Sequence, residues 1–153
     1  MPLTRRRFLV LAAALAAAAC TKTARHAAIP RGSTVLALGD SLTYGYGASP
    51  EAAYPARLAA ITGWEVANGG VSGDTAAQAL ARLPALLKQS PKLVLLGIGG
   101  NDFLHRVPES DTRRHIGDTI AAVQGAGVPL VLIAEPKPSL GALVGSLSDH
   151  PLY

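Results

Sequence analysis

Cysteine is nearly absent. Cys20 is the single one in 153 residues, so no intramolecular disulfide can form. Aromatic residues make up 5% of the chain and charged residues 16%. With no basic stripe and no interleaved aromatics to stack on bases, nothing marks a nucleic-acid binder. The formal charge of +4 does not restore that reading. Arg5, Arg6 and Arg7 sit in a leader-like segment, and without residues 1–19 the balance is 11 Lys and Arg against 10 Asp and Glu. No internal repeat is visible. What is abundant is apolar: 49% hydrophobic residues exclude a disordered chain and suffice for one globular domain with a sizeable core.

The amino terminus has the pattern of a targeting segment. Thr4-Arg5-Arg6-Arg7-Phe8-Leu9-Val10 is a positive region, and Leu11 to Ala19 continues it as an uncharged apolar run. At about ten residues that run is too short for a comfortable membrane span. Paired arginines before Phe-Leu resemble a twin-arginine export signal, and an ordinary secretory signal is the alternative. Cys20 follows Ala17-Ala18-Ala19 directly, which resembles a lipoprotein cleavage site with Cys20 carrying the lipid. The alternative is cleavage at an Ala-x-Ala site with Cys20 incidental. Residues 1–19 are therefore expected to be a signal peptide and 20–32 a tether. Residues 33–153 would be the domain, working in the periplasm or anchored to a membrane through that lipid.

Within the domain, strands and helices alternate. Thr34 to Leu38 is an apolar strand that stops at Gly39. Tyr54, Leu58 and Ile61 share one helical face over about Pro55–Ile61, with Pro55 in the first turn and Gly63 as the stop. Trp64 to Ala67 is a short second strand, and Asn68 to Thr75 a Gly-rich loop. A helix is expected from about Thr75, capped by Asp74, with Leu80, Leu83 and Leu87 inward and Pro84 kinking or dividing it. Lys92 to Gly97 reads as a strand buried on both faces. Phe103 to Ser110 is expected to be loop and Asp111 to Gln124 helix, with Ile116, Ile120 and Val123 on one face. Val128 to Ala134 is a fourth strand, and Glu135 to Ser148 a loop. Strand and helix repeated three times before a fourth strand give an α/β fold, a doubly wound parallel sheet with right-handed crossovers.

Three consecutive strands end in unusual loops, and a parallel sheet puts all three on the edge where ligands bind. Ser41 offers a hydroxyl. Gly73 offers a backbone N–H that a ligand can approach closely, having no side chain. Asn101 offers an amide N–H₂. Taken singly, these are most often a helix cap, a turn and another turn. Together, in strand order, they compose a nucleophile with the donors of an oxyanion hole, each donor being worth about 3–4 kcal/mol in other enzymes.

The three loops carry a resemblance. Gly39-Asp40-Ser41-Leu42 resembles the first block of the GDSL, or SGNH, hydrolases. Asn68 to Thr75 resembles the second, and Gly97-Ile98-Gly99-Gly100-Asn101-Asp102 the third. The similarity runs from about Thr34 to the end of the chain and is greatest to the secreted arylesterase, thioesterase and lysophospholipase branch. It implies a flavodoxin-like three-layer sandwich. Ser41 would be the nucleophile, with the backbone N–H groups of Ser41 and Gly73 and the Asn101 side chain as oxyanion donors. The reaction implied is hydrolysis of carboxylic esters or thioesters through an acyl-serine, with no metal or organic cofactor. The G-x-S-x-G elbow of the other large serine-hydrolase fold is absent.

A serine nucleophile needs a base, normally a histidine oriented by an aspartate. The family supplies both in a late Asp-x-x-His-Pro block, after a fifth strand. This sequence has Ser148-Asp149-His150-Pro151 instead. Adjacent residues of extended chain point opposite ways, so Asp149 is poorly placed to orient His150. The expectation is that the chain stops before its last strand, last helix and catalytic dyad, with His150 as a weaker candidate base. His105, on the loop after Asn101, and His115, on an exposed helix face, are weaker still. Losing the base would leave only the residual catalysis of oxyanion hole and binding, and strand four would become an apolar edge. The rival functions are a non-catalytic protein with the same pocket and a carbohydrate O-acetyl esterase.

Overall fold

A computed structural model describes residues 27–135. Four strands form one parallel sheet: β1 (Thr34–Gly39), β2 (Glu65–Gly70), β3 (Leu93–Gly97) and β4 (Leu130–Leu132), in the order β2-β1-β3-β4. Between them lie the short α1 (Ser41–Tyr44), α2 (Tyr54–Thr62), α3 (Ala76–Leu87), the short α4 (Gly100–Leu104) and α5 (Glu109–Gly125). Alternating side chains of the central strands feed two cores. Leu36 and Leu38 of β1 with Val94 and Leu96 of β3 meet Ala79 and Leu83 of α3 and Ile116 and Val123 of α5. Val35, Leu93 and Leu95 face the other way, toward Tyr54 and Leu58 of α2 and Trp64. Two helical layers thus sandwich one sheet, as an all-parallel sheet requires.

Register is what places the site. Gly39 is paired with Gly70 on one side and Gly97 on the other. The last residues of three strands therefore stand in one row, and the loops that leave them start at the same level. Glycine at this row has a steric reason: a Cβ on Gly39 would collide with Thr43 Oγ1 and the Gly97 carbonyl oxygen.

Several elements depart from the sequence reading. Asn68 to Gly70 is strand, not loop, because its backbone pairs with Ala37 to Gly39 and Gly69 is buried under that pairing. Asp74 does not cap α3. Thr75 is the cap residue, its N–H bonded to the Gln78 side chain at 2.8 Å, and Asp74 turns to Arg82. Pro84 does not divide α3, which runs unbroken to Leu87 with the proline ring on its exposed side. Residues 100–104 form a helical turn rather than loop, and α5 begins at Glu109, directly after Pro108. β4 is three residues long, shorter than its apolar run. Ile61 is exposed although Tyr54 and Leu58 pack inward. The expected signal peptide, Cys20, the segment after Glu135 and His150 lie outside the described residues.

Candidate active site

Ser41 is the first residue of α1. Its predecessor Asp40 caps the turn, the carboxylate oxygen Oδ1 accepting the Leu42 N–H at 3.0 Å. The Ser41 carbonyl oxygen closes the turn, accepting the Gly45 N–H at 3.0 Å and the Tyr46 N–H at 2.9 Å. The N–H of Ser41 is among the first-turn amides for which a helix provides no acceptor, so it is available to a ligand. Ser41 itself is half-buried at the strand end.

The second loop is bonded to this one, and the third to the second. The Val71 N–H donates to the Gly39 carbonyl at 3.1 Å, and Asn101 Nδ2 donates to the Asp74 carbonyl at 2.9 Å. An amide NH₂ has two hydrogens, so Asn101 keeps one for a ligand. Gly73 has φ +89°, and a Cβ there would meet nothing within 4 Å. Conformation, not room, is therefore the reason for glycine at 73: a side chain fits, but the positive φ strains any residue with a Cβ. Ser41, Gly73 and Asn101, read from three separate segments, occupy one edge, with Gly73 exposed and Asn101 half-buried.

Behind these donors are acids that the sequence reading passed over. Asp102 is 1% exposed; its Oδ2 accepts the Ala76 N–H at 2.8 Å and its Oδ1 the Thr112 hydroxyl at 3.3 Å. Asp102 and His105 have the three-residue spacing of a carboxylate–histidine pair. Both carboxylate oxygens of Asp102 are engaged elsewhere, and His105 is exposed at the end of α4. Glu135 is buried just past β4. A Cβ on Gly100 would stand 3.6 Å from both Asp40 Oδ2 and Glu135 Oε2, so the two carboxyls flank that glycine. Burial, with a smaller contribution from the Asp40 charge, pushes the Glu135 carboxyl up to about 7. Burial also raises Asp40, against the opposing pull of the Leu42 amide. Glu135, Leu42, Thr43 and Tyr54 line a cavity of about 320 Å³ on the α2 side of the sheet. The Tyr54 hydroxyl there lies 3.3 Å from Thr43 Oγ1, and burial raises its pKa.

Among the described residues neither histidine is placed beside Ser41 as a base. His115 is half-buried rather than exposed, on α5, and its Nδ1 is buried without a hydrogen-bond partner. His105 is solvated, as its loop position suggested. Among the described residues no group of three or more His, Cys, Asp or Glu could hold a metal ion.

Residues 37–149, well over half of the chain, match the model of the GDSL-like Lipase/Acylhydrolase family. The chain belongs to this family. Its relatives include the Thioesterase 1/protease 1/lysophospholipase L1 of Escherichia coli strain K12, 43% identical over 105 residues, which are 65% of this chain and 50% of that protein. The arylesterase of Vibrio mimicus is 37% identical over 105 residues, 65% of this chain and 52% of the relative. This GDSL chain thus spans about half the length of the curated relatives it matches. Among solved structures, the SGNH-hydrolase esterase AlinE4 superposes with a TM-score of 0.67 at 30% identity, over 72% of this chain and 63% of that one. The three-layer α/β sandwich with a parallel sheet is the architecture of these SGNH neighbours.

Proposed function

We propose that this GDSL chain carries the nucleophile and oxyanion hole of a serine hydrolase acting on carboxylic esters or thioesters. The observation that carries this reading is the register of Gly39, Gly70 and Gly97, which brings Ser41, Gly73 and Asn101 to one accessible edge. The relatives' names, thioesterase, lysophospholipase and arylesterase, support an acyl substrate.

In this reading Ser41 Oγ adds to the acyl carbonyl carbon while its proton passes to a base. The carbonyl oxygen becomes an oxyanion, received by the N–H groups of Ser41 and Gly73 and by Asn101 Nδ2. Each donor contributes about 3 kcal/mol at the transition state, because it is fixed in place before charge develops. Collapse expels the alcohol or thiol with a proton and leaves an acyl-serine, which water cleaves by the reverse proton path. Neither His105 nor His115 is placed as the base. His150, outside the described residues, is the candidate that the sequence offers.

Hydrolysis of a short-chain p-nitrophenyl ester by the purified chain, beside Ser41→Ala and His150→Ala, tests this. Turnover should fall by about 10⁴-fold or more in Ser41→Ala, and by a comparable factor in His150→Ala if that histidine is the base. Turnover unchanged in Ser41→Ala overturns the nucleophile assignment, whereas a folded chain no faster than that variant does not itself supply the base, and saturable binding of the ester without turnover then favours a binding protein with the same pocket.

A further inference from the structure

Resting on that reading, we propose that Arg82 of α3 is the positioning residue of the oxyanion hole, acting through Asp74 on both Gly73 and Asn101. Arg82 Nε and Nη2 donate to Asp74 Oδ2 at 2.8 and 2.6 Å. Its Nη1 donates to the Gly69 carbonyl oxygen at 3.0 Å, and Nη2 reaches the Gly39 carbonyl oxygen at 3.4 Å. One guanidinium thus joins the end of β1, the end of β2 and the first residue after Gly73. These are three of the places from which the edge is built.

Asp74 is the hinge of this arrangement. Its side chain is held by Arg82, its N–H donates to the Val71 carbonyl at 3.1 Å, and its carbonyl oxygen accepts Asn101 Nδ2. Gly73 is its chain neighbour. Two of the three oxyanion donors therefore take their direction from Asp74, and the position of Asp74 is set from outside its own loop by Arg82. The Gly39 contact brings the same guanidinium to the residue before the Asp40 cap, on the strand that presents Ser41. Arg82 itself faces the loop backbone and Asp74, so it orients the donors rather than serving as one.

An Arg–Asp pair between a helix and a loop is ordinarily only a staple, and exposed pairs contribute little. Here the Asp74 side chain is 9% exposed and the Arg82 side chain 30%. The planar guanidinium is also used in a way lysine cannot copy, since four donor–acceptor contacts need its fixed fork. A lysine retains the charge opposite Asp74 but not the simultaneous reach to Gly39 and Gly69. This separates a charge effect from a geometric one.

The test compares Arg82→Ala and Arg82→Lys with the parent chain, using p-nitrophenyl acetate hydrolysis with Ser41→Ala as the blank. Residue-resolved amide exchange at Val71, Asp74, Leu95 and Leu96 is measured in parallel. Arg82→Ala is expected to lower kcat by about 100-fold, the effect of one misplaced oxyanion donor, with KM within about threefold. Arg82→Lys should recover part of that loss. Exchange at Val71 and Asp74 should quicken by about tenfold while Leu95 and Leu96 in the central strand stay unchanged. An unchanged kcat in Arg82→Ala overturns the proposal, and so does a loss matched by equally faster exchange at Leu95 and Leu96, which is general destabilisation. If the parent chain does not exceed the blank, that outcome bears on the base and the hydrolase reading and not on Arg82. Exchange at Asp74 then still decides whether Arg82 sets the loop, and no local change overturns that.

Discussion

The carboxyl ends of β1, β2 and β3 are built differently from the end of β4. On the first side each loop is tied by a side chain from another element. Arg82 reaches Gly39 and Gly69, Asn101 reaches Asp74, and Asp102 holds the first turn of α3 and the Thr112 hydroxyl of α5. On the second side the strand has three residues, Val131 and Ile133 are 48% and 37% exposed, and the Glu135 carboxyl has no cation beside it among the described residues. Loops cannot be fixed by apolar burial alone, because their backbone polar groups must be satisfied where they leave the ladder. The side that carries Ser41, Gly73 and Asn101 meets that need with buried and half-buried polar side chains. Among the described residues the β4 side has no such side-chain tie.

The strongest way to break the contrast is to remove a tie from the ordered side. Asp102→Ala leaves the Ala76 N–H and the Thr112 hydroxyl without their carboxylate acceptor, in a site where Asp102 is 1% exposed. A loss of about 3 kcal/mol is expected from urea unfolding, with Asp102→Asn, which keeps one acceptor oxygen, losing about half as much. A loss under about 1 kcal/mol in Asp102→Ala would show that water replaces the carboxylate there, and that the ties do not distinguish the two sides.

Glu135 sharpens the contrast through pH. Its carboxyl is raised from 4.5 to about 7, first by burial and then by the Asp40 charge. The folded state holds a proton that the unfolded chain has released, so the contribution of this group to stability is greatest below about 4.5. It falls as pH rises through 7 and then levels off. Asp40, also raised by burial, adds a slope of the same sign. Glu135→Gln should flatten the fall between pH 4.5 and 8. It should stabilise the fold by on the order of 2 kcal/mol at pH 8 and change little at pH 4. Urea midpoints across that range measure it, and parallel curves for the two proteins would place the titrating group elsewhere.

The two sides also differ in how much of them the sequence made legible. Strand cores such as Leu93 to Leu96, the stop at Gly63 and the three motif loops rest on local signals: apolar runs, glycine at turns, short spacings. Those signals were enough for the parallel sheet and for the expectation that Ser41, Gly73 and Asn101 share one edge of it. The misread segments are decided by partners distant in sequence. Asn68-Gly69-Gly70 has the composition of a loop and becomes strand only because β1 lies beside it. Asp74 has the look of a cap residue, but Arg82, one face around α3, takes its carboxylate. Arg82 and Asp102 carry no local mark of their roles, since each acts on backbone groups tens of residues away. Glu135 did leave a trace, as an acid at the end of an apolar strand, and its burial beside Asp40 is tertiary information.

The smallest expected effect lies on the outer strand. β4 pairs only with β3 in the described sheet, and Val131, opposite Leu95 in the ladder, is 48% exposed. Burial contributes little where half of the side chain is already wet, so Val131→Lys should change stability by no more than about 0.5 kcal/mol, mostly through lower strand propensity. A lysine on an exposed strand discourages a second chain from pairing with it. The concentration at which purified protein begins to scatter light should therefore rise, although the urea midpoint hardly moves. If Val131→Lys instead costs more than about 1.5 kcal/mol, the outer face of β4 is packed in solution. The β4 side would then be as well tied as the side that carries Ser41, by apolar contact rather than by polar bonds.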